Sequence, residues 1–147
     1  MKKFTVAVIA LLTLTLLMTG CGKKETDGVA DEFKYHTAEE VKEFIEKDED
    51  MILLDIQPEE DWDKHHIKGA IATYAFPADD DEGKAKLDEV LPTLEESEDK
   101  IIIICPRGGG GAENTHKYLV EKGIKEDRLY ILEKGQEGWP YDELLED

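Results

Sequence analysis

The amino-acid sequence predicts an α/β protein built on a central parallel sheet with helices on both faces. Two runs of consecutive apolar residues, MILLDI at 51–56 and IIIIC at 101–105, are typical of strands buried on both faces. Segments with apolar residues at helical spacing alternate with these runs, which is the order of strand–helix–strand units. The length of 147 residues accommodates one such domain with short appendages.

The first 20 residues are predicted to be a secretory signal peptide rather than part of the domain. Two lysines follow Met1, and residues 4–18 carry no charge and are apolar except for threonines. This stretch is shorter than the roughly 20 residues that a membrane-spanning helix needs. A positive start, an apolar middle and an end rich in small residues describe a cleaved export signal.

The end of this segment, LMTGC at residues 17–21, resembles the lipobox of bacterial lipoproteins. Leu17 or Met18 takes the apolar position, Gly20 the small position and Cys21 the position of the lipidated thiol. The resemblance implies that the chain is anchored by lipid on Cys21 at the extracytoplasmic face of the cell membrane. An ordinary signal peptide that contains a cysteine is the alternative.

Residues 21–34 are predicted to be a flexible tether, because they are polar and show no periodicity. The domain is then assigned to residues 35–147. Thr37 and Glu40 form a capping-box pattern at the start of its first helix. The expected elements of the first half are a strand at 33–35, a helix at 38–47, a strand at 51–56 and a short helix beginning at Pro58.

The second half of the domain continues the alternation of strands and helices. Its expected elements are a strand at 67–74, a loop at 77–83, a helix at 85–94, strands at 101–105 and 129–132, a helix at 112–122 and a last helical turn or two at 141–145. Gly123 supplies a C-cap for the helix at 112–122. Pro92 is expected to bend or end the helix in which it lies.

The charge of −18 limits the partners that the protein can have. A nucleic-acid-binding protein needs a basic footprint, so we expect no nucleic-acid partner. Anionic lipid head groups would repel the acidic domain, which leaves the anchor as the expected membrane contact. If Cys21 carries lipid, Cys105 has no partner for an intramolecular disulfide. Cys105 is then either a reactive thiol or a buried structural cysteine.

Cys105 ends a buried strand and begins the stretch CPRGGGGA, after which a helix is predicted. Ligands of a parallel sheet bind beyond the carboxyl ends of its strands. A helix N-terminus presents free amides and a partial positive charge, which stabilise an anion such as a thiolate. Glycines allow successive amides to converge on an anion. The pattern favours an anion cradle, with a slack glycine turn as the alternative.

Three stretches together resemble the single-domain rhodanese family of sulfurtransferases, in which a cysteine carries a persulfide between a central strand and a helix. They are LLDIQPEEDWDKHHIKGAI, IIIICPRGGGGAENTHKYLVEKGI and LYILEKGQEGWP, in the family's order. The resemblance implies a three-layer α/β/α fold, with Cys105 as the catalytic nucleophile and no cofactor. It also implies that Asp55 supports the site, that His66 is structural, and that substrate is bound by Arg107, Gly108, Gly109, Gly110 and Gly111.

Three positions depart from the family pattern. Gln57 stands where an arginine is common, Gly110 where a substrate-facing side chain is common, and Gly111 where serine or threonine is common. Arg107 either compensates for these losses or points to solvent. The expected partners are a small sulfur-containing anion or a persulfide as donor and a thiol as acceptor. A non-catalytic rhodanese-fold binding or sensing module is the alternative.

Other chemistries fit the sequence poorly. The four histidines have no zinc spacing, so no metal site is expected. A cysteine phosphatase needs an arginine six residues after its cysteine, where this chain has Gly111. Thioredoxin chemistry needs a second cysteine near Cys105, and the sequence places none there.

Overall fold

The two apolar runs form the centre of a five-stranded parallel sheet in the computed structural model, which describes residues 32–147. The predicted signal peptide, Cys21 and most of the tether lie outside the described residues. The strands are β1 Tyr35–His36, β2 Met51–Asp55, β3 His66–Ile67, β4 Ile71–Ala72, β5 Lys100–Ile104, β6 Leu129–Leu132 and β7 Leu145–Glu146. The sheet has the order β1-β6-β5-β2-β4, while β3 and β7 form a separate antiparallel pair.

Helices cover both faces of the sheet. They are α1 Ala38–Glu46, α2 Glu59–Trp62, α3 Asp81–Glu95 and α4 Gly110–Glu121, with 3₁₀ turns at Glu126–Arg128, Gln136–Gly138 and Asp142–Leu144. Leu87 of α3 and Leu119 of α4 pack in one buried cluster, and Val41 of α1 packs in a second. The three-layer α/β/α architecture predicted from the sequence is therefore confirmed. Among residues 32–147, no helix has the length and apolar character needed to cross a membrane.

Strand β5 contributes to both clusters because its side chains alternate between the two faces of the sheet. Ile101 and Ile103 belong to the cluster under α3 and α4, whereas Ile102 and Ile104 belong to the cluster under α1. All four isoleucines are fully buried. Cys105 comes next, on the same face as Ile103, and therefore lies at the carboxyl edge of the sheet beneath the start of α4.

Several element boundaries differ from the predictions. The strand expected at 67–74 is two short strands, because β3 pairs with β7 and β4 pairs with β2, with a turn between them. Helix α3 begins at Asp81, within the expected loop, because the Asp80 carboxylate caps it by accepting from the Gly83 amide. Pro92 does not end α3, which continues for three more residues.

Candidate active site

The segment that follows β5, residues 105–109, is named here the cysteine loop. The amide of Gly108 donates to Cys105 Sγ over 2.9 Å. The carbonyls of Cys105 and Pro106 accept from the amides of Gln136, at 2.8 Å, and Glu137, at 2.9 Å. These backbone bonds hold the loop against the turn that follows β6, so the position of the sulfur is set by main-chain contacts.

Gly108 and Gly135 make this close approach possible. Their φ angles are +72° and +60°, a region that favours glycine. A Cβ at Gly135 would lie 2.2 Å from the Cys105 carbonyl oxygen, and a Cβ at Gly108 would lie 2.7 Å from the Lys134 nitrogen. The atoms in the way are main-chain atoms, so both positions require glycine.

Helix α4 begins at Gly110, two residues earlier than predicted. The carbonyl of Gly109 accepts from the amides of Ala112 and Glu113 and so starts the helix. The amides of the first turn, including those of Gly110 and Gly111, have no acceptor within the helix itself. They lie at the positive end of the helix dipole, where an anion is stabilised.

A cavity of about 510 Å³ opens over Cys105. Its lining residues are Pro58, Asp61, Phe76, Cys105, Pro106, Arg107, Gly109, Gly110, Gly111 and Glu137. Cys105 is only 1% exposed, so it forms the floor. Gly108, whose amide contacts the sulfur, and Asp55 are not part of the lining. This space is named the cysteine cavity.

Phe76 is a wall of the cysteine cavity that the sequence analysis did not single out. A Cβ at Gly111 would lie 2.7 Å from Phe76 Cδ2, so the ring rests directly against the first turn of α4. Phe76 therefore occupies the space in which a larger residue at position 111 would lie. The amide of Phe76 donates to the Ile56 carbonyl over 2.9 Å, which ties this wall to the end of β2.

Arg107 lies at the outer rim of the cavity. Its Nε is 3.3 Å from Glu137 Oε1, and the two side chains are 81% and 62% exposed. An ion pair this exposed contributes little to stability. The guanidinium faces the Glu137 carboxylate and solvent, and its role toward a substrate stays a prediction. Asp61, a second acid of the lining, accepts from Lys64 Nζ over 2.9 Å.

Asp55 ends β2 next to the cysteine loop and is fully buried. Its two carboxylate oxygens accept from the backbone amide of Gln57, at 2.8 Å, and from Gln57 Nε2, at 2.9 Å. Burial raises the pKa of Asp55 to about 6, although the bonds from Gln57 and the nearby His66 oppose the rise. Gln57 thus partners Asp55 without supplying a full positive charge.

His66 makes contacts that belong to the fold. Its Nδ1 donates to the Trp62 carbonyl over 3.1 Å, and its ring stacks on the Trp62 ring at 3.5 Å between centroids. Its Nε2 is 3.4 Å from a carboxylate oxygen of Glu146, which joins β3 to β7. Within residues 32–147, no cluster of three or more histidine, cysteine or acidic side chains is arranged to hold a metal ion.

Solved structures with the same fold support this architecture. A rhodanese-like domain from Anabaena is 20% identical, with a TM-score of 0.61 over 78% of this chain and 80% of that chain. A Staphylococcus saprophyticus protein is 24% identical, with a TM-score of 0.54 over 78% and 100%. A thiosulfate sulfurtransferase from Pseudomonas aeruginosa is 21% identical, with a TM-score of 0.56 over 78% of this chain and 20% of that chain.

The sequence itself supplies the family assignment. No curated protein matches the chain. The model of the rhodanese-like domain family matches residues 37–141, which include the cysteine loop, all the residues that line the cavity and most of the described sheet. The chain therefore belongs to the family of proteins with a rhodanese-like domain.

Proposed function

We propose that this protein is a sulfurtransferase that carries sulfane sulfur as a persulfide on Cys105. The observation that carries the proposal is the contact between the Gly108 amide and Cys105 Sγ, 2.9 Å long, on the floor of an open cavity. This hydrogen bond fixes the sulfur below the open space from which a donor would approach. The first turn of α4 adds the partial positive charge of a helix N-terminus beside the same atom.

The reaction that we propose has two sulfur-transfer steps. In the first, the Cys105 thiolate attacks the sulfane sulfur of a donor; a new S–S bond forms on Sγ, and the donor leaves with the electron pair of its broken bond. In the second, an acceptor thiolate attacks the outer sulfur of the persulfide. The bond to Sγ breaks, and Cys105 returns as a thiolate. We expect the amides of the first turn of α4, which have no acceptor within the helix, to bind the outer sulfur between the steps.

An intact-mass measurement tests the proposal at one residue. Cys21→Ala leaves Cys105 as the one cysteine of the sequence. The protein in this background is purified, incubated with thiosulfate or polysulfide and weighed without digestion. We expect the mass of one sulfur atom to be added, and to be removed again by a thiol. The Cys105→Ser variant should gain nothing. No added sulfur on the protein that keeps Cys105, or the same addition on the variant, contradicts the proposal.

A non-catalytic rhodanese-fold module is the second candidate. The observation that favours it is the open space around Gly110, where the family often carries a substrate-facing side chain. Arg107, directed onto Glu137, does not fill that space. The module would bind a sulfur-containing anion without turnover. Repeated release of sulfide from a donor in the presence of excess thiol distinguishes the two, because only the sulfurtransferase releases it.

We also propose that the protein is anchored by lipid on Cys21 at the extracytoplasmic face of the membrane. The support is the LMTGC sequence at residues 17–21. Cys21→Ala should abolish the incorporation of labelled fatty acid and release the protein from the membrane fraction. Labelling that persists in the variant would contradict the anchor without affecting the proposal for Cys105.

A further inference from the structure

The cysteine cavity is large for an inorganic sulfur anion. Its volume of about 510 Å³ lies within the range of roughly 300–1,000 Å³ that holds organic ligands. A molecule of liquid water takes about 30 Å³, and thiosulfate has only five heavy atoms. Thiosulfate would therefore leave most of the cavity to solvent. The space above Cys105 fits a donor that carries an organic group on the far side of its sulfane sulfur.

The side of the cavity formed by Phe76 is apolar and fixed. Phe76 is 40% exposed, although its neighbours Ala75 and Ala78 are buried. The segment is held by the bond from the Phe76 amide to Ile56 and by a bond from Asn114 Nδ2 to the Pro77 carbonyl, at 3.1 Å. An apolar group of the donor would cover the exposed part of the ring. Binding would be favoured because apolar surface of both the ring and the donor is removed from water.

The charges at the rim disfavour a donor with additional negative charge. Asp61 and Glu137 are the carboxylates of the lining, and Arg107 is its one cation. The Arg107 guanidinium is directed onto Glu137, and Gly110 adds no side-chain donor to the lining. The protein as a whole carries a charge of −18, which repels a dianion from a distance.

We propose that the cysteine cavity selects organic persulfides with an apolar, uncharged group, and that Phe76 is the specificity-determining residue that contacts this group. The inference rests on the proposed sulfurtransferase function and names its donor class. Cys105 Sγ attacks the outer sulfur of R–S–S⁻, a bond forms between these two atoms, and the S–S bond of the donor breaks. The products are the Cys105 persulfide anion and R–S⁻, so atoms and charge balance without another oxidant or reductant.

Three donors separate the effects of size and charge. They are benzyl persulfide, 4-carboxybenzyl persulfide and thiosulfate, the first two differing by a single carboxylate. The rate of sulfur addition to Cys105 is followed by intact mass after acid quench, in the purified full chain with Cys21→Ala, where Cys105 is the one remaining cysteine. Each rate is divided by the rate of the same donor with a small free thiol, which removes the donor's intrinsic reactivity. We expect the benzyl donor to exceed both others by about tenfold or more.

Variants at position 76 test the named residue. Phe76→Ala should lower the normalised rate of benzyl persulfide about tenfold relative to that of thiosulfate, because the covering surface is lost. Phe76→Leu keeps an apolar side chain. It should retain most of the ratio between the normalised rates of benzyl persulfide and thiosulfate. Val120→Ala is the matched control, since it removes an exposed apolar side chain at the far end of α4. The ratio should be unchanged in this control.

The outcomes separate this inference from the function on which it rests. If no donor adds sulfur to Cys105, both are overturned. If thiosulfate or the carboxylated donor matches benzyl persulfide, the function stands and the selectivity is wrong. If Phe76→Ala and Val120→Ala give the same ratio of rates, the selectivity does not come from Phe76, and its assignment as the specificity residue fails.

Discussion

The glycines around Cys105 divide into a closed region and an open region. At Gly108 and Gly135 an added Cβ would meet main-chain atoms at 2.7 Å and 2.2 Å. At Gly109 and Gly110 it would meet no described atom within 4 Å. The first pair allows the cysteine loop to pack against the turn after β6. The second pair adds no side chain to the rim of the cavity.

This difference separates the position of the sulfur from the choice of substrate. The closed region is held by main-chain hydrogen bonds that give Cys105 Sγ one place at the edge of the sheet. The open region can accept side chains without disturbing those bonds. We therefore expect substitutions in the two regions to affect different quantities, namely stability in the closed region and donor preference in the open region.

The largest expected effect is that of Gly135→Ala. The added Cβ would overlap the Cys105 carbonyl oxygen, and the φ of +60° with a ψ of −158° is a conformation that alanine avoids. Backbone strain and overpacking together should lower the free energy of unfolding by roughly 3–5 kcal/mol. Urea denaturation measures this loss, and sulfur addition to Cys105 should fall with it.

Gly123→Ala is the control for Gly135→Ala. Gly123 has a φ of +97° but open space around its Cβ, so it reports backbone strain without the collision. We expect it to cost about 1–2 kcal/mol and to leave sulfur addition to Cys105 intact. Equal losses at the two positions would show that the contact with the cysteine loop contributes nothing.

The second prediction concerns Asp55, at the end of β2 next to the closed region. Because burial raises the pKa of Asp55 from 3.8 to about 6, the folded state holds this proton more tightly than the unfolded state. Its contribution to stability is complete below about pH 4 and is lost as pH rises through 6. The loss amounts to about 3 kcal/mol. Asp55→Asn should remove this part of the pH dependence, measured by urea denaturation between pH 4 and 7.5.

Gln57→Arg provides the converse test of the same pair. Gln57 Nε2 already lies 2.9 Å from Asp55 Oδ2, and a guanidinium in its place would favour the ionised carboxylate. The pKa of Asp55 should then fall, and the loss of stability between pH 4 and 6 should shrink. If the free energy of unfolding changes between pH 4 and pH 6 by the same amount in both variants as in the wild type, another group is responsible for the pH dependence.

The fold was predictable because it depends on patterns that are local in the sequence. The isoleucines at 101–104 and the run at 51–56 are apolar throughout, as strands buried on both faces must be. The capping box of Thr37 and Glu40 is present as predicted. The split of the segment at 67–74 was not predictable, because it depends on β7, which lies about 80 residues further along the chain.

The site was predictable only in part, because some of its contacts join segments that are distant in the sequence. Cys105 and its glycines are adjacent in sequence, so the cysteine loop could be identified, while its role in persulfide transfer remains a prediction. Phe76 lies in an irregular segment and reaches Gly111 only through the tertiary fold. The need for glycine at position 135 was hidden in the same way, because the colliding oxygen belongs to Cys105. The sequence showed that Gln57 departs from the family pattern. It did not show that Gln57 donates two hydrogen bonds to Asp55, which only the structure reveals.

The third prediction concerns the open region and the rate of sulfur addition. Gly110→Arg places a cation at the rim, in space that the structure leaves open. Attraction between one positive charge and a dianion should raise the rate of sulfur addition from thiosulfate about tenfold. Gly110→Gln, which has similar bulk and no charge, is the matched control. If the rate with thiosulfate rises equally in both variants, or in neither, charge at this rim does not control the preference for the donor.

The smallest expected effect has the opposite sign to the first. Gly110 is the first residue of α4, its φ is not positive, and a Cβ there meets no described atom. Gly110→Ala should therefore raise the free energy of unfolding by about 0.4–1 kcal/mol, because alanine has less conformational freedom in the unfolded chain. Gly108→Ala, two residues away, should lower it, since its φ is +72° and its Cβ would meet the Lys134 nitrogen. Urea midpoints measured side by side decide the matter: shifts of the same sign would mean that the glycine run is one uniform loop rather than two regions with separate roles.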